Sequence, residues 1–87
     1  MTVTLKHVVT ITLDEKKSER DKVLTLAFNY AGSGGPPMEF DSEELEHSNS
    51  LTVGFASANS FHEAKDFAEH MREELEHSTV SDPQPVH

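Results

Sequence analysis

Between Ser60 and His77 the apolar residues recur every three or four positions. Phe61, Ala64, Phe67, Ala68, Met71 and Leu75 fall within an arc of about 120° at the α-helical pitch. A stripe of that width commits the segment to a helix with one face against a core. Ser60 and Glu63 have the spacing of a capping box, which sets the expected start. Lys65 and Arg72 flank the stripe, where their stems can cover its edge. A helix over 60–77 extends about 27 Å, enough to cross a small sheet.

The rest of the chain is expected to supply that sheet. Residues 2–13 alternate with period two: Val3, Leu5, Val9, Ile11 and Leu13 share one face, and threonines with Lys6 share the other. His7 falls on the apolar face and Val8 on the polar one. Either His7 lies at the core margin or a bulge at Val8–Val9 shifts the phase. Residues 14–22 are wholly polar and read as an exposed connection. Leu24, Leu26, Phe28 and Tyr30 alternate with Val23, Thr25, Ala27 and Asn29, which reads as a second strand over 23–30 pairing with the first as an antiparallel hairpin.

Residues 31–37, rich in glycine and closed by Pro36-Pro37, break regular structure. They follow no phosphate-loop pattern, since no Lys-Ser or Lys-Thr pair closes them. Asp41 and Glu44 have cap spacing for a short helix. Residues 51–56 read as a third strand, with Leu51, Val53 and Phe55 inward. The expected fold class is therefore α+β: a three-stranded antiparallel sheet in β-β-β-α order, with the C-terminal amphipathic helix on one face. Residues 1–78 form the expected single domain, and 79–87, with two prolines, the expected flexible tail. The first strand is long, threonine-rich and guarded only by Lys6. Edge pairing between two copies is thus an expected route to a homodimer.

Charge is distributed unevenly along the chain. Residues 1–30 hold five basic and four acidic side chains, whereas residues 31–87 hold twelve acidic ones against Lys65 and Arg72 alone. The net charge is −9. Such a surface repels nucleic acid and anionic membrane and attracts cationic protein surfaces. Lys16, Lys17, Arg20 and Lys22 are interleaved with Asp14, Glu15, Glu19 and Asp21 and have no aromatic platform beside them, which disfavours nucleic-acid binding. With no cysteine, disulfides, thiolate metal sites and cysteine nucleophiles are excluded. No apolar run reaches bilayer length, and Met1 to Leu5 lack a signal-peptide pattern, so a cytoplasmic setting is expected.

No catalytic residues and no cofactor are expected. Composition permits a serine, histidine and aspartate set, but there is no nucleophile elbow. His62, Asp66 and His70 follow one another at four-residue spacing. The two histidines are then about 12 Å apart along the axis, too far to share a metal ion. His62, His70 and His77 among carboxylates suggest a metal- or proton-responsive face as an alternative role. The leading expectation is a non-enzymatic module that binds a basic protein surface through Glu39, Phe40, Asp41, Glu43, Glu44 and Glu46, and through Glu63, Asp66, Glu69, Glu73 and Glu76. Phe40, between two acids and just past the prolines, is the expected aromatic anchor. In size and charge balance the chain is similar to small acidic inhibitors of phages and mobile elements, including anti-CRISPR and anti-restriction proteins. That likeness implies competition with nucleic acid for a lysine- and arginine-lined groove. The alternative from another class is an assembly protein joined through strand edges.

Overall fold

In the computed structural model, residues 6–32 and 38–86 are described. The expected strand positions 2–5, the Ser33–Pro37 spacer and His87 lie outside them. The elements run β1 (His7–Thr12), α1 (Arg20–Gly32), β2 (Met38–Glu39), α2 (Glu44–His47), β3 (Ser50–Phe55), α3 (Ser60–Glu74), β4 (Thr79–Val80) and β5 (Gln84–Pro85). The class is α+β with an antiparallel sheet, as expected. The sheet has five strands rather than three, ordered β2-β3-β1-β4 with β5 also on β1. A helix after β1, a helix after β3 and this strand order make a split β-α-β arrangement of the ferredoxin-like type.

β1 is the centre of that sheet. It pairs along its whole length with β3, from His7 opposite Phe55 to Thr12 opposite Ser50. The register is unbroken, so no bulge shifts Val8–Val9 and His7 does lie on the core-facing side. Its ring Nδ1 is 2.7 Å from the Ser60 hydroxyl, which is buried at the start of α3. The opposite edge of β1 is taken by β4 at Ile11 and Thr12 and by β5 at His7 and Val8. Between these two pairings the register steps by one residue, so Ser81–Pro83 form a bulge in a single interrupted edge strand. Pro83 has no amide to pair, and a bulge tolerates that. The Thr10 amide donates to the Ser81 hydroxyl (2.9 Å), and the Ser81 amide donates to the Thr10 carbonyl (2.9 Å). The segment expected as a tail thus completes the sheet, and β1, expected as an open edge, is internal.

The second correction concerns residues 20–32, which form α1 instead of a strand. The run from Val23 to Ala31 alternates with period two, but it also carries Val23, Ala27 and Tyr30 at helical spacing. In the helix, Val23 and Ala27 are fully buried and Tyr30 packs beside them. Both edges of β1 are occupied by other segments, so no place remains for a hairpin partner there. The turn before α1 is held by Asp14, whose carboxylate accepts from the Ser18 amide and hydroxyl, each at 2.9 Å. Those two hydrogen bonds hold the Asp14 carboxyl below its ordinary range.

The core lies between the inner sheet face and the helices. Val9, Ile11, Leu51, Val53 and Phe55 meet Ala64, Phe67, Ala68 and Met71 of α3, with Val23 of α1 and Leu45 of α2 closing the sides. Phe67 stacks against Phe55 and, edge-on, against Tyr30. Phe61 departs from the expected stripe: it sits at the margin, 48% exposed, against the His7 ring. The capping box also does not form. Ser60 is the first helical residue and turns its hydroxyl to His7, while the Ser57 hydroxyl bonds Glu63.

α3 ends at Glu74, three residues short of expectation, because Leu75 is extended and a buried carboxylate seizes the chain beyond it. Glu19, expected on an exposed connection, is buried. Its carboxylate accepts from the Glu76 amide (2.9 Å), the His77 amide (2.8 Å) and the Ser78 hydroxyl (2.9 Å). Burial pushes the Glu19 carboxyl up, but the hydrogen bonds outweigh it and hold the group below its ordinary value.

Two outcomes follow from this packing. Phe67→Ala should cost about 3–5 kcal/mol in urea unfolding, since it empties the junction of α1, α3 and β3. Glu19→Gln should cost about 1–3 kcal/mol at neutral pH by turning an amide donor toward amide donors. A carboxyl whose folded value is depressed stabilises fully above its ordinary value and loses that contribution as pH falls through the folded value. The parent protein should therefore lose stability as pH falls from about 4.5, and Glu19→Gln should flatten that decline.

Candidate functional site

The expected site residues divide between two regions. On α3, Asp66, Glu69 and Glu73 are exposed on the side away from the buried stripe, with His62 among them. Glu63 lies on the flank toward α1 and is bonded by Ser57. Glu76 is exposed beyond the helix end, with its amide held by Glu19. The Tyr30 phenol feels this surface: burial first, then the negative charges of Asp66 and Glu63, push its ionisation up. His70 lies against Tyr30, with ring centroids 5.7 Å apart. Among the described residues no three His, Asp or Glu side chains converge on a point that could hold a metal ion.

The second region follows β2. Met38 pairs opposite Phe55 and Glu39 opposite Gly54, so the acid points to the outer side. The Asp41 carboxylate accepts from the Glu43 amide (2.9 Å) and its carbonyl from the Glu44 amide (3.0 Å), a turn that leads into α2; the expected Asp41 cap does not form, because Glu43 is the residue that precedes the helix. Leu45 is then buried, and Glu44 swings back onto β3. One Glu44 oxygen accepts from the Thr52 amide at 3.1 Å and the other lies 3.4 Å from the Thr52 hydroxyl. β2 is two residues long and leaves that part of β3 without a strand neighbour on the side away from β1. The carboxylate satisfies the exposed edge instead.

The protein's own cations do little to neutralise these acids. Among the described residues there are two ion pairs, Arg20 with Glu46 at 3.6 Å and Arg72 with Asp82 at 2.8 Å. Arg72 also donates twice to the Val80 carbonyl, which ties α3 to β4. Lys17 donates to the Leu45 carbonyl at 2.8 Å. Two of the four basic residues around the β1–α1 connection are therefore engaged with α2. No hydrogen bond or ion pair among the described residues joins the 39–46 acids to those of α3.

Beside the 39–46 segment lies a groove of about 680 Å³. Phe28 and Ala31 of α1, Met38 and Phe40 supply its apolar wall, and Glu39, Asp41 and Glu44 supply its polar one. Phe40 is half-buried and meets Phe28 edge to face, with centroids 5.0 Å apart. Phe28 itself is 56% exposed. A strand over 23–30 places Phe28 on one face with Leu24, Leu26 and Tyr30, the face expected inward. Helical spacing from Val23 and Ala27 sets it on the flank, and that alternative period was the one signal for it in the sequence.

Among the described residues of β1 and β3, the outer sheet face carries no aromatic side chain. Its positions on β1 and β3 are Val8, Thr10, Thr12, Ser50, Thr52 and Gly54. Aromatic side chains on an exposed sheet face are one means by which single-stranded bases are stacked. The buried Ser60 hydroxyl beside His7 was not foreseen. It acts as a tie between β1 and α3. No helix among the described residues is long and apolar enough to cross a membrane. Comparison with protein families, with curated proteins and with solved structures finds no match. Many functions share this strand order, so the side chains must carry the functional reading.

Removing the β3 edge guard has a measurable consequence. Glu44→Ala should cost about 1–3 kcal/mol by stranding the Thr52 amide. It should also raise self-association over a dilution series in light scattering, because the freed edge can pair with another chain.

Proposed function

We propose that this protein is a small, non-enzymatic, acidic binding module that engages a basic surface on a partner protein. The observation that carries this reading is the outer face of α3. Asp66, Glu69 and Glu73 stand exposed along one side of a helix whose other side is fixed in the core. None of the three has an ion-pair partner among the described residues. Of the two cations on α3, Arg72 is committed to Asp82 and the Val80 carbonyl, and Lys65 forms no ion pair among the described residues. Carboxylates on a rigid scaffold lose little freedom when they meet lysines and arginines, and they steer association over a Debye length.

A face of this kind suits competition with nucleic acid for a cationic groove, as an inhibitor would. The Glu39–Glu46 segment adds a second acidic surface on a different element. Steering makes the contact fast to form and sensitive to salt.

The test uses protamine, an arginine-rich basic protein, as the cationic partner. Affinity should fall steeply between about 50 and 300 mM salt. Glu69→Lys with Glu73→Lys should weaken it at least about tenfold, corresponding to about 1.4 kcal/mol. Glu15→Lys with Asp21→Lys changes the net charge equally, away from α3, and should weaken it far less. Equal loss in both pairs would show net charge at work and remove the face from the proposal.

A further inference from the structure

We infer that the groove between α1 and the 38–44 segment receives a single arginine side chain of the cationic partner. This rests on the binding-module reading and gives it a specific contact point. Three features of the groove combine. Its floor is aromatic, from Phe28 and Phe40 packed edge to face. Phe28 is more than half exposed, although its helix neighbours Val23 and Ala27 are fully buried. Glu39 and Asp41 add carboxylates to its lining, and among the described residues no lysine or arginine lines it.

The rim carboxylates differ in availability. Glu44 is occupied by the Thr52 amide and hydroxyl. Asp41 spends one oxygen on the Glu43 amide. Glu39 is exposed and forms no side-chain hydrogen bond or ion pair among the described residues. A wholly apolar ligand would cover the rings but strip water from the rim acids without compensation. A bare ammonium would satisfy the acids and leave the rings uncovered. An arginine does both: its methylene stem lies along the apolar floor, its planar head stacks on a ring, and its paired N–H donors meet a carboxylate.

The probe is an acetylated, amidated Leu-Arg-Leu peptide, compared with its lysine counterpart and its citrulline counterpart, which keeps shape but lacks charge. Binding is followed by the ring signals of Phe28 and Phe40 in NMR titration. The arginine peptide should shift both and bind about three- to thirtyfold more tightly than the citrulline peptide, with lysine between them. Phe28→Ala and Glu39→Gln should each remove most of that difference. Both positions are exposed, and unchanged circular dichroism checks the fold. Phe61→Ala, at the other exposed phenylalanine, should leave the difference intact. Equal binding of arginine and citrulline peptides, or no effect of Phe28→Ala, would overturn the inference. So would a concentration-dependent dimer with Phe28 at its seam. These failures leave the protamine result on α3 standing, so the two readings fall separately.

Discussion

The whole structure depends on β1 being paired along both edges while one of its faces is buried. Val9 and Ile11 meet Val53 and Leu51 across the β1–β3 ladder, and the same face receives Phe67 and Met71 of α3. β4 and β5 occupy the other edge. In a chain of 87 residues, few side chains can be buried, so each strand must be used on both edges where possible. Losing the 79–86 segment from that edge would expose β1 backbone and release Arg72 from the Val80 carbonyl.

Polar side chains then finish what the short strands leave undone. Glu19 captures the amides after α3, Glu44 stands in for a missing strand beside Thr52, and Asp41 holds the turn before α2. Each is a carboxylate placed against backbone donors, where a charged hydrogen bond is stronger than a neutral one. These acids are therefore structural, although they come from the same surplus that makes the chain anionic. The surplus left over, on the outer side of α3 and on Glu39 and Glu43, is what remains for a partner. A contact built from both regions would engage two separate elements.

Part of this was legible in the chain and part was not. Strong periodicity located the core faces of β1, β3 and α3, whereas neither expected helix cap formed. The run 23–31 misled because its apolar residues fit both a strand and a helix, and only the occupation of β1 by other segments decides between them. Residues 79–86 carry two prolines and weak patterning, so nothing local marks them as strands. Their pairing comes from the free edge that β1 offers them. Phe28 and the groove were hidden by the same ambiguity in 23–31.

Composition and pattern alone determined the class of the fold, the sense of the charge and the buried face of α3, because those are local or additive properties. Tertiary structure decided which acids are consumed by the backbone and which stay exposed, where Phe28 meets Phe40, and that β1 is an interior strand. Those depend on contacts between residues far apart in the chain, such as Glu19 with Ser78 or His7 with Ser60, and no local spacing encodes them.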